Sequence, residues 1–254
     1  MHTCRILAAA CVLAWAACAS AQVRDSIKYG KNLYKSGVIV TAENWDKVVY
    51  KATEEGPAET IPADEVTEIG YGDTPSSFRM AQSFVQRRSF DEALKQFQAA
   101  AADTSARRFW LGQHANYHMG RLLYRLGGLD KANYEAALAA YAEVEKAAPQ
   151  GRFVPPARVG IGMCHLQMGR TQEAEKVFQS LVTGDFGPKW AYRGRLGLVR
   201  VEAADAKNAP KAIEKAQKLV EEAREADLRL EAKLVLADVY KAAAKYQEAR
   251  KAFD

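Results

Sequence analysis

Hydrophobic and polar residues follow two different periods along the chain. Within residues 25–71, β-branched runs such as GVIVTA (37–42) and alternating stretches such as WDKVVYK (45–51) are separated by Gly, Asn and Pro. This pattern predicts four or five short strands in a small meander or barrel-like module. From residue 73 onwards, apolar residues recur three and four positions apart in Ala-rich sequence, which predicts helices. We therefore expect an all-β module over residues 22–72 and a mainly helical region over residues 73–254.

The junction between the two regions carries a helix-start signal. Thr74 is a residue type that caps helix N-termini, and Pro75 follows it at a position where a missing N–H costs nothing. The sequence therefore predicts that the first helix begins at Pro75, with Thr74 as its cap.

A nine-residue motif occurs three times in the helical region, as SFDEALKQF (89–97), RTQEAEKVF (170–178) and KYQEARKAF (245–253). In each copy an Ala stands four residues before a Phe, so both side chains lie on one face of a helix. With two further, weaker copies, the closing positions lie 37 to 44 residues apart, at Phe97, Tyr141, Phe178, Ala216 and Phe253. The helix before each copy contains a small residue, at Ala81, Gly120, Gly162, Gly197 and Ala237. A small residue lets two helices approach while an aromatic ring fills the adjacent space, so the motif predicts packed helical hairpins.

These positions resemble the tetratricopeptide repeat (TPR) across roughly residues 74–254, and the last copy fits best, with Leu236, Ala237, Tyr240, Tyr246, Ala249 and Phe253. The resemblance implies a TPR-like α-solenoid of about five hairpins with a concave inner groove. The chain stops at Asp254 within a second helix, which favours a longer array truncated in this sequence. The β region carries a loose Asp-x-Ile, Gly, Val-Val, Ile pattern, and resembles small modules that precede helical repeats in some bacterial cell-envelope proteins.

The family resemblance also implies which residues line the groove. In the family, certain positions of each first helix face inwards, and such a surface suits an extended peptide or a partner helix. The alternative interpretation is that these side chains are simply exposed, or that they contact the β module of the same chain. The positions are Phe78, Gln82, Gln86, His114, Tyr117, Arg121, Tyr124, Arg125, Met163 and Gln167.

The first 21 residues have the layout of a secretory signal peptide. Arg5 precedes an apolar run at residues 6–17, and Ala19-Ser20-Ala21 forms a small-x-small cleavage signal before Gln22. The apolar run is too short to span a bilayer, so we expect no transmembrane helix after signal removal. A lipoprotein signal ending at Cys18 is the rival interpretation. Either interpretation predicts export to the periplasm or cell envelope of a bacterium.

Charge and cysteine content limit the partners and the means of stabilisation. The formal net charge is +5, and the excess lies in the helical region, which favours an acidic partner. The basic residues are not concentrated on one element, so nucleic-acid binding is not predicted. Cys164 is the single cysteine after residue 21, so no internal disulfide is expected.

Candidate catalytic and metal-binding motifs are weak. His114 and His118 have the i,i+4 spacing of a helical metal site, but the Glu of a zinc hydrolase and a third ligand are not evident. Cys164 and His165 are adjacent on a helix and point about 100° apart, so they do not form a nucleophile–base pair. We therefore predict no enzyme activity, metal or cofactor.

Together these features predict a non-catalytic scaffold of the bacterial cell envelope that binds a peptide or helix in its concave TPR groove. Two alternatives remain open at this stage. The first is an assembly factor tethered to the outer membrane as a lipoprotein through Cys18. The second is an accessory repeat region of a larger enzyme.

Overall fold

A computed structural model describes residues 24–105 and 108–252; the predicted signal peptide and Phe253 lie outside these residues. The β module contains five antiparallel strands, in the order β4-β3-β2-β1-β5. The long β2 pairs with β1 through its first half and with β3 through its second half. The strands are β1 (Asp25–Tyr29), β2 (Leu33–Glu43), β3 (Lys47–Lys51), β4 (Ala58–Pro62) and β5 (Val66–Gly70).

Ten α-helices follow in the described part of the chain, and consecutive pairs form five hairpins, as expected for a TPR-like solenoid. We call odd-numbered helices first helices and even-numbered ones second helices. None of them, within the described residues, has the length and apolarity that crossing a membrane requires. The helices are α1 (Ser76–Gln86), α2 (Phe90–Ala101), α3 (Leu111–Leu126), α4 (Ala132–Ala147), α5 (Val154–Gln167), α6 (Thr171–Thr183), α7 (Pro188–Ala203), α8 (Ala209–Glu222), α9 (Ala226–Ala242) and α10 (Tyr246–Lys251).

The start of α1 differs from the sequence prediction by one residue. Pro75 is the N-cap, with an extended backbone (φ −70°, ψ 155°), and Ser76 is the first helical residue. The Thr74 hydroxyl donates a hydrogen bond to the Tyr71 carbonyl oxygen rather than accepting one from the helix. The predicted Thr74 cap is therefore wrong, because this side chain is used to close the turn that leaves the sheet.

The two modules share one hydrophobic core. Alternate residues of β2 and β3, including Val40 and Val48, are buried together with Tyr71, Phe78 and Trp110. The Tyr71 ring stacks on Trp110 at the start of α3, with centroids 4.1 Å apart and planes 7° apart. Burial of apolar surface therefore holds the sheet against the first two hairpins.

Packing between hairpins depends on rings that press against glycines. A Cβ atom on Gly120 of α3 or on Gly160 of α5 would lie closer than 3.0 Å to the Tyr141 ring, which comes from α4. Phe178 of α6 is held in the same way between α5 and α7, by Gly162 and Gly197. Each ring thus contacts the first helix of its own hairpin and that of the next hairpin, and only glycine leaves room for it.

The first and fourth hairpins use different residues at this position. Phe97 of α2 stacks on His118 of α3, with centroids 5.6 Å and planes 8° apart. His118 stands two residues before Gly120, as Gly160 stands two residues before Gly162. In the fourth hairpin the aromatic is replaced by buried Ala216.

We predict that Gly197→Leu lowers the free energy of unfolding by about 3 kcal/mol, because the new side chain overlaps the Phe178 ring in a filled core. Denaturant unfolding followed by circular dichroism would measure the loss. The matched control is Gly128→Leu, since a Cβ there meets only a carbonyl oxygen at 3.7 Å. Equal stability of the two variants would contradict the packing scheme.

Candidate partner-binding groove

The first helices of four hairpins line one cavity of about 390 Å³. Its walls combine aromatic and aliphatic side chains with three charged ones. Because only first helices contribute, this cavity forms part of the inner groove of the solenoid. The lining residues are Tyr117 from α3, Pro156 and Val159 from α5, Trp190, Arg193, Leu196 and Arg200 from α7, and Glu231 and Leu234 from α9.

The arginines of α7 are paired with acids of α9. Arg193 makes a two-pronged contact with the Glu231 carboxylate, Nε to Oε2 at 2.9 Å and Nη2 to Oε1 at 2.6 Å. Arg200 Nη2 donates to Asp238 Oδ2 at 3.0 Å. In each pair the acid lies 38 residues after the arginine, which is about the length of one repeat. The same kind of contact therefore joins α7 to α9 at two places. The Arg193 guanidinium also lies 4.6 Å from the centre of the Trp190 ring, which fixes its position over the groove.

Tyr117 is the groove residue predicted from sequence that lines this cavity. Its ring stacks on Phe153, with centroids 4.5 Å apart, and the Arg121 guanidinium lies 5.8 Å from its centre. The other predicted positions lie on α1, α3 and α5 and do not line the cavity. Tyr124 and Met163 are half-buried, whereas the exposed ones are Gln82, Gln86, Arg121, Arg125 and Gln167.

Two predicted groove residues face the interior instead. Phe78 is only 4% exposed and packs edge-on against Phe97 and Trp110. His114 points at the β module, where its Nε2 lies 2.7 Å from a carboxylate oxygen of Glu43. Both assignments are wrong: Phe78 lies in the core that the sheet shares with the first two hairpins, and His114 is engaged by Glu43 of the β module.

The groove positions predicted from the sequence include only Tyr117 among the residues that line the cavity, although a pattern in the sequence selects several of the others. Tyr117 lies three residues before the small residue Gly120, and the same offsets of three and six residues select Val159 and Pro156 from Gly162. Counting back from Ala237 likewise selects Leu234 and Glu231. Only in α7 does the rule fail, because the lining residues Trp190 and Arg193 lie one position earlier than it predicts.

One protein-family model matches part of the helical region. Residues 117–189 match the tetratricopeptide repeat family model TPR_16. The helical array is TPR-like. A search of curated proteins finds no match to the chain.

Similar solved structures include a MamA RS-1 ArsTM double mutant, with 22% identity over 70% of this chain and 88% of that one, at a TM-score of 0.45. A putative kinesin light chain from Podosopora anserina, with nearly identical TPR-like repeats, has 16% sequence identity. The match covers 70% of this chain and 90% of that one, at a TM-score of 0.47. A tetratricopeptide repeat protein from Parabacteroides merdae has 18% sequence identity. The match covers 69% of this chain and 75% of that one, at a TM-score of 0.36.

TPR-like arrays are typically non-catalytic scaffolds that bind proteins along their concave surface. The titratable residues singled out in the sequence fit a packing role here. Burial raises the pKa of the Cys164 thiol to about 12, which keeps it protonated. Burial, with His114 and Arg121 nearby, lowers the pKa of His118 to about 4, so this ring is neutral at pH 7. Among residues 24–105 and 108–252, no group of three metal-ligating side chains comes together.

A buried carboxylate fixes the β module to the array. Glu43, at the end of β2, accepts hydrogen bonds from the Tyr71 hydroxyl (2.9 Å) and His114 Nε2 (2.7 Å), and lies 3.4 Å from Arg152 Nη1. The Arg152 backbone N–H also donates to the Glu43 carbonyl oxygen at 3.0 Å. One side chain therefore joins the sheet, α3 and the loop before α5.

The environment of Glu43 sets its protonation. Burial alone would raise the pKa of this carboxyl, but His114, Arg152 and the Tyr71 hydroxyl together hold it below the ordinary value of 4.5. The ionised form therefore stabilises the fold fully above pH 4.5, and this stabilisation is lost as the pH falls through the folded-state pKa.

We predict that Glu43→Gln lowers the free energy of unfolding by about 3 kcal/mol at pH 7, because it leaves Arg152 and His114 without their anionic partner. Thermal melts from pH 7 to pH 3 should show the gap from wild type closing below pH 4.5. Glu55→Gln, at an exposed position in the β3–β4 turn, should match wild type throughout. A pH-independent gap would show that the charge of Glu43 does not account for the loss.

Proposed function

We propose that this chain is a non-catalytic interaction scaffold of the bacterial cell envelope, and that its concave groove holds a peptide or helix of a protein partner. The supporting observation is the cavity between α3, α5, α7 and α9. Its size falls within the range of small binding pockets, and Trp, Tyr and Arg are the residue types that contribute most to interface affinity.

The charged groups of the cavity suit recognition better than proton transfer. Arg193, Arg200 and Glu231 are engaged in ion pairs that join α7 to α9, so they hold the shape of the groove. The apolar wall is left for a partner, and Leu234 of α9, which lines the same cavity as Trp190, is 46% exposed. A partner side chain that covered these residues would remove apolar surface from water.

We predict that Leu234→Ser weakens partner binding at least about tenfold, since it replaces an apolar wall residue, while the melting temperature changes little because the side chain is half exposed. A photo-reactive residue at position 234 in living cells would first identify the partner. Its affinity for the purified chain would then be measured by calorimetry.

Leu129→Ser is the matched control, because Leu129 is 88% exposed in the α3–α4 turn and lies away from the cavity. It should bind the partner like wild type. Equal loss of affinity in both variants, or in neither, would refute binding in this groove.

The proposed location rests on residues 1–21, whose layout is that of a signal peptide. We predict that the mature protein begins at Gln22, and mass spectrometry of the protein purified from its native host would show this N-terminus. An acylated Cys18 would instead support the lipoprotein alternative. Retention of residues 1–21 would contradict export by either route.

A further inference from the structure

We infer that the partner segment is acidic as well as apolar, with an apolar anchor in the cavity and two carboxylates placed against Arg121 and Arg125 of α3. This inference rests on the proposed function and specifies the chemistry of the partner. Its basis is the uneven distribution of charge along the groove.

At the α7–α9 end, arginine charge is already neutralised. Arg193 is held by Glu231, and Arg200 is held by Asp238. At the α3 end, no acid within the described residues lies within 4.0 Å of the exposed Arg121 or Arg125. The α3 end therefore presents two positive charges that the described residues leave without a close partner.

The groove positions predicted on the two neighbouring first helices carry no charge. The flanking groove positions are neutral, with Gln82 and Gln86 on α1 and Met163 and Gln167 on α5. His118 of α3 is uncharged at pH 7, because burial lowers the pKa of its ring to about 4. A carboxylate entering this part of the groove would be attracted to two arginines that form no salt bridge with a described acid.

The arginine head groups are also held in place by rings. The Arg121 guanidinium lies 5.8 Å from the centre of the Tyr117 ring, and that of Arg125 lies 5.8 Å from the centre of the Phe90 ring. A guanidinium resting on an aromatic face loses less side-chain freedom when it binds a carboxylate. Both arginines are therefore suited to two-pronged recognition of acids.

Helix geometry sets the spacing of the partner's acids. Arg121 and Arg125 are four residues apart on one face of α3, a rise of about 6 Å. Two carboxylates four residues apart on a helix, or two residues apart on a strand, match that distance. Tyr117, which lines the cavity, lies one turn before Arg121, so the anchor and the nearer acid are about one helical turn apart.

The test is a display selection of random twelve-residue peptides against the full chain, repeated with Arg121→Gln/Arg125→Gln. Arg224→Gln/Arg250→Gln is the matched control, because it removes the same charge from exposed positions outside the groove. Wild type and control should select peptides with Asp or Glu about one turn from an apolar residue, and the double variant should not. A synthetic copy of a selected peptide should bind the double variant about tenfold more weakly, with a smaller dependence on salt.

The outcomes separate this inference from the proposed function. Peptides that lose affinity with Leu234→Ser but not with Arg121→Gln/Arg125→Gln would leave the groove in place and overturn the acidic partner. Peptides that bind all variants equally, or a failure to select any peptide, would overturn both. Circular dichroism melts of each variant would confirm that lost binding is not lost folding.

Discussion

The array depends on aromatic rings that press against glycines of two consecutive first helices. Tyr141 and Phe178 each contact the hairpin to which they belong and the hairpin that follows. Such a ring sets the distance between hairpins as well as the distance within one, because a filled core tolerates neither a gap nor an overlap. Side chains on the opposite face of the first helices are thereby brought into line, and the groove is a consequence of this packing.

The β module packs against several hairpins of the array, at the loops that precede their first helices. Glu43 draws together Tyr71, His114 and Arg152, and the Trp45 backbone N–H donates to the Gln150 carbonyl oxygen. Further along, Trp45 packs edge-on against Phe186 between α6 and α7. The sheet thus follows the loops that precede the first helices, and residues that would line the groove of a bare array are buried beneath it.

Sequence reasoning succeeded where the determinants repeat and failed where they occur once. The recurrence of a small residue and a ring predicted the helical hairpins, which the structure confirms. The Glu43–Arg152 contact spans 109 residues and has no second copy, so no periodicity could reveal it. Phe78 and His114 occupy groove positions by count, but their environment is decided by the neighbouring module. In α7 the lining residues Arg193 and Trp190 lie one position earlier than the register that α5 and α9 share.

The arginines of the groove have two different roles. Arg193 and Arg200 meet Glu231 and Asp238 with the spacing of the repeat, so these pairs belong to the contact between α7 and α9. A ligand that took Arg193 for itself would leave the partly buried Glu231 without its cation and loosen that contact. Binding that preserves the array must therefore use the apolar wall at this end. In the proposed complex, the electrostatic contacts would then come from Arg121 and Arg125 of α3, which form no salt bridge with a described acid.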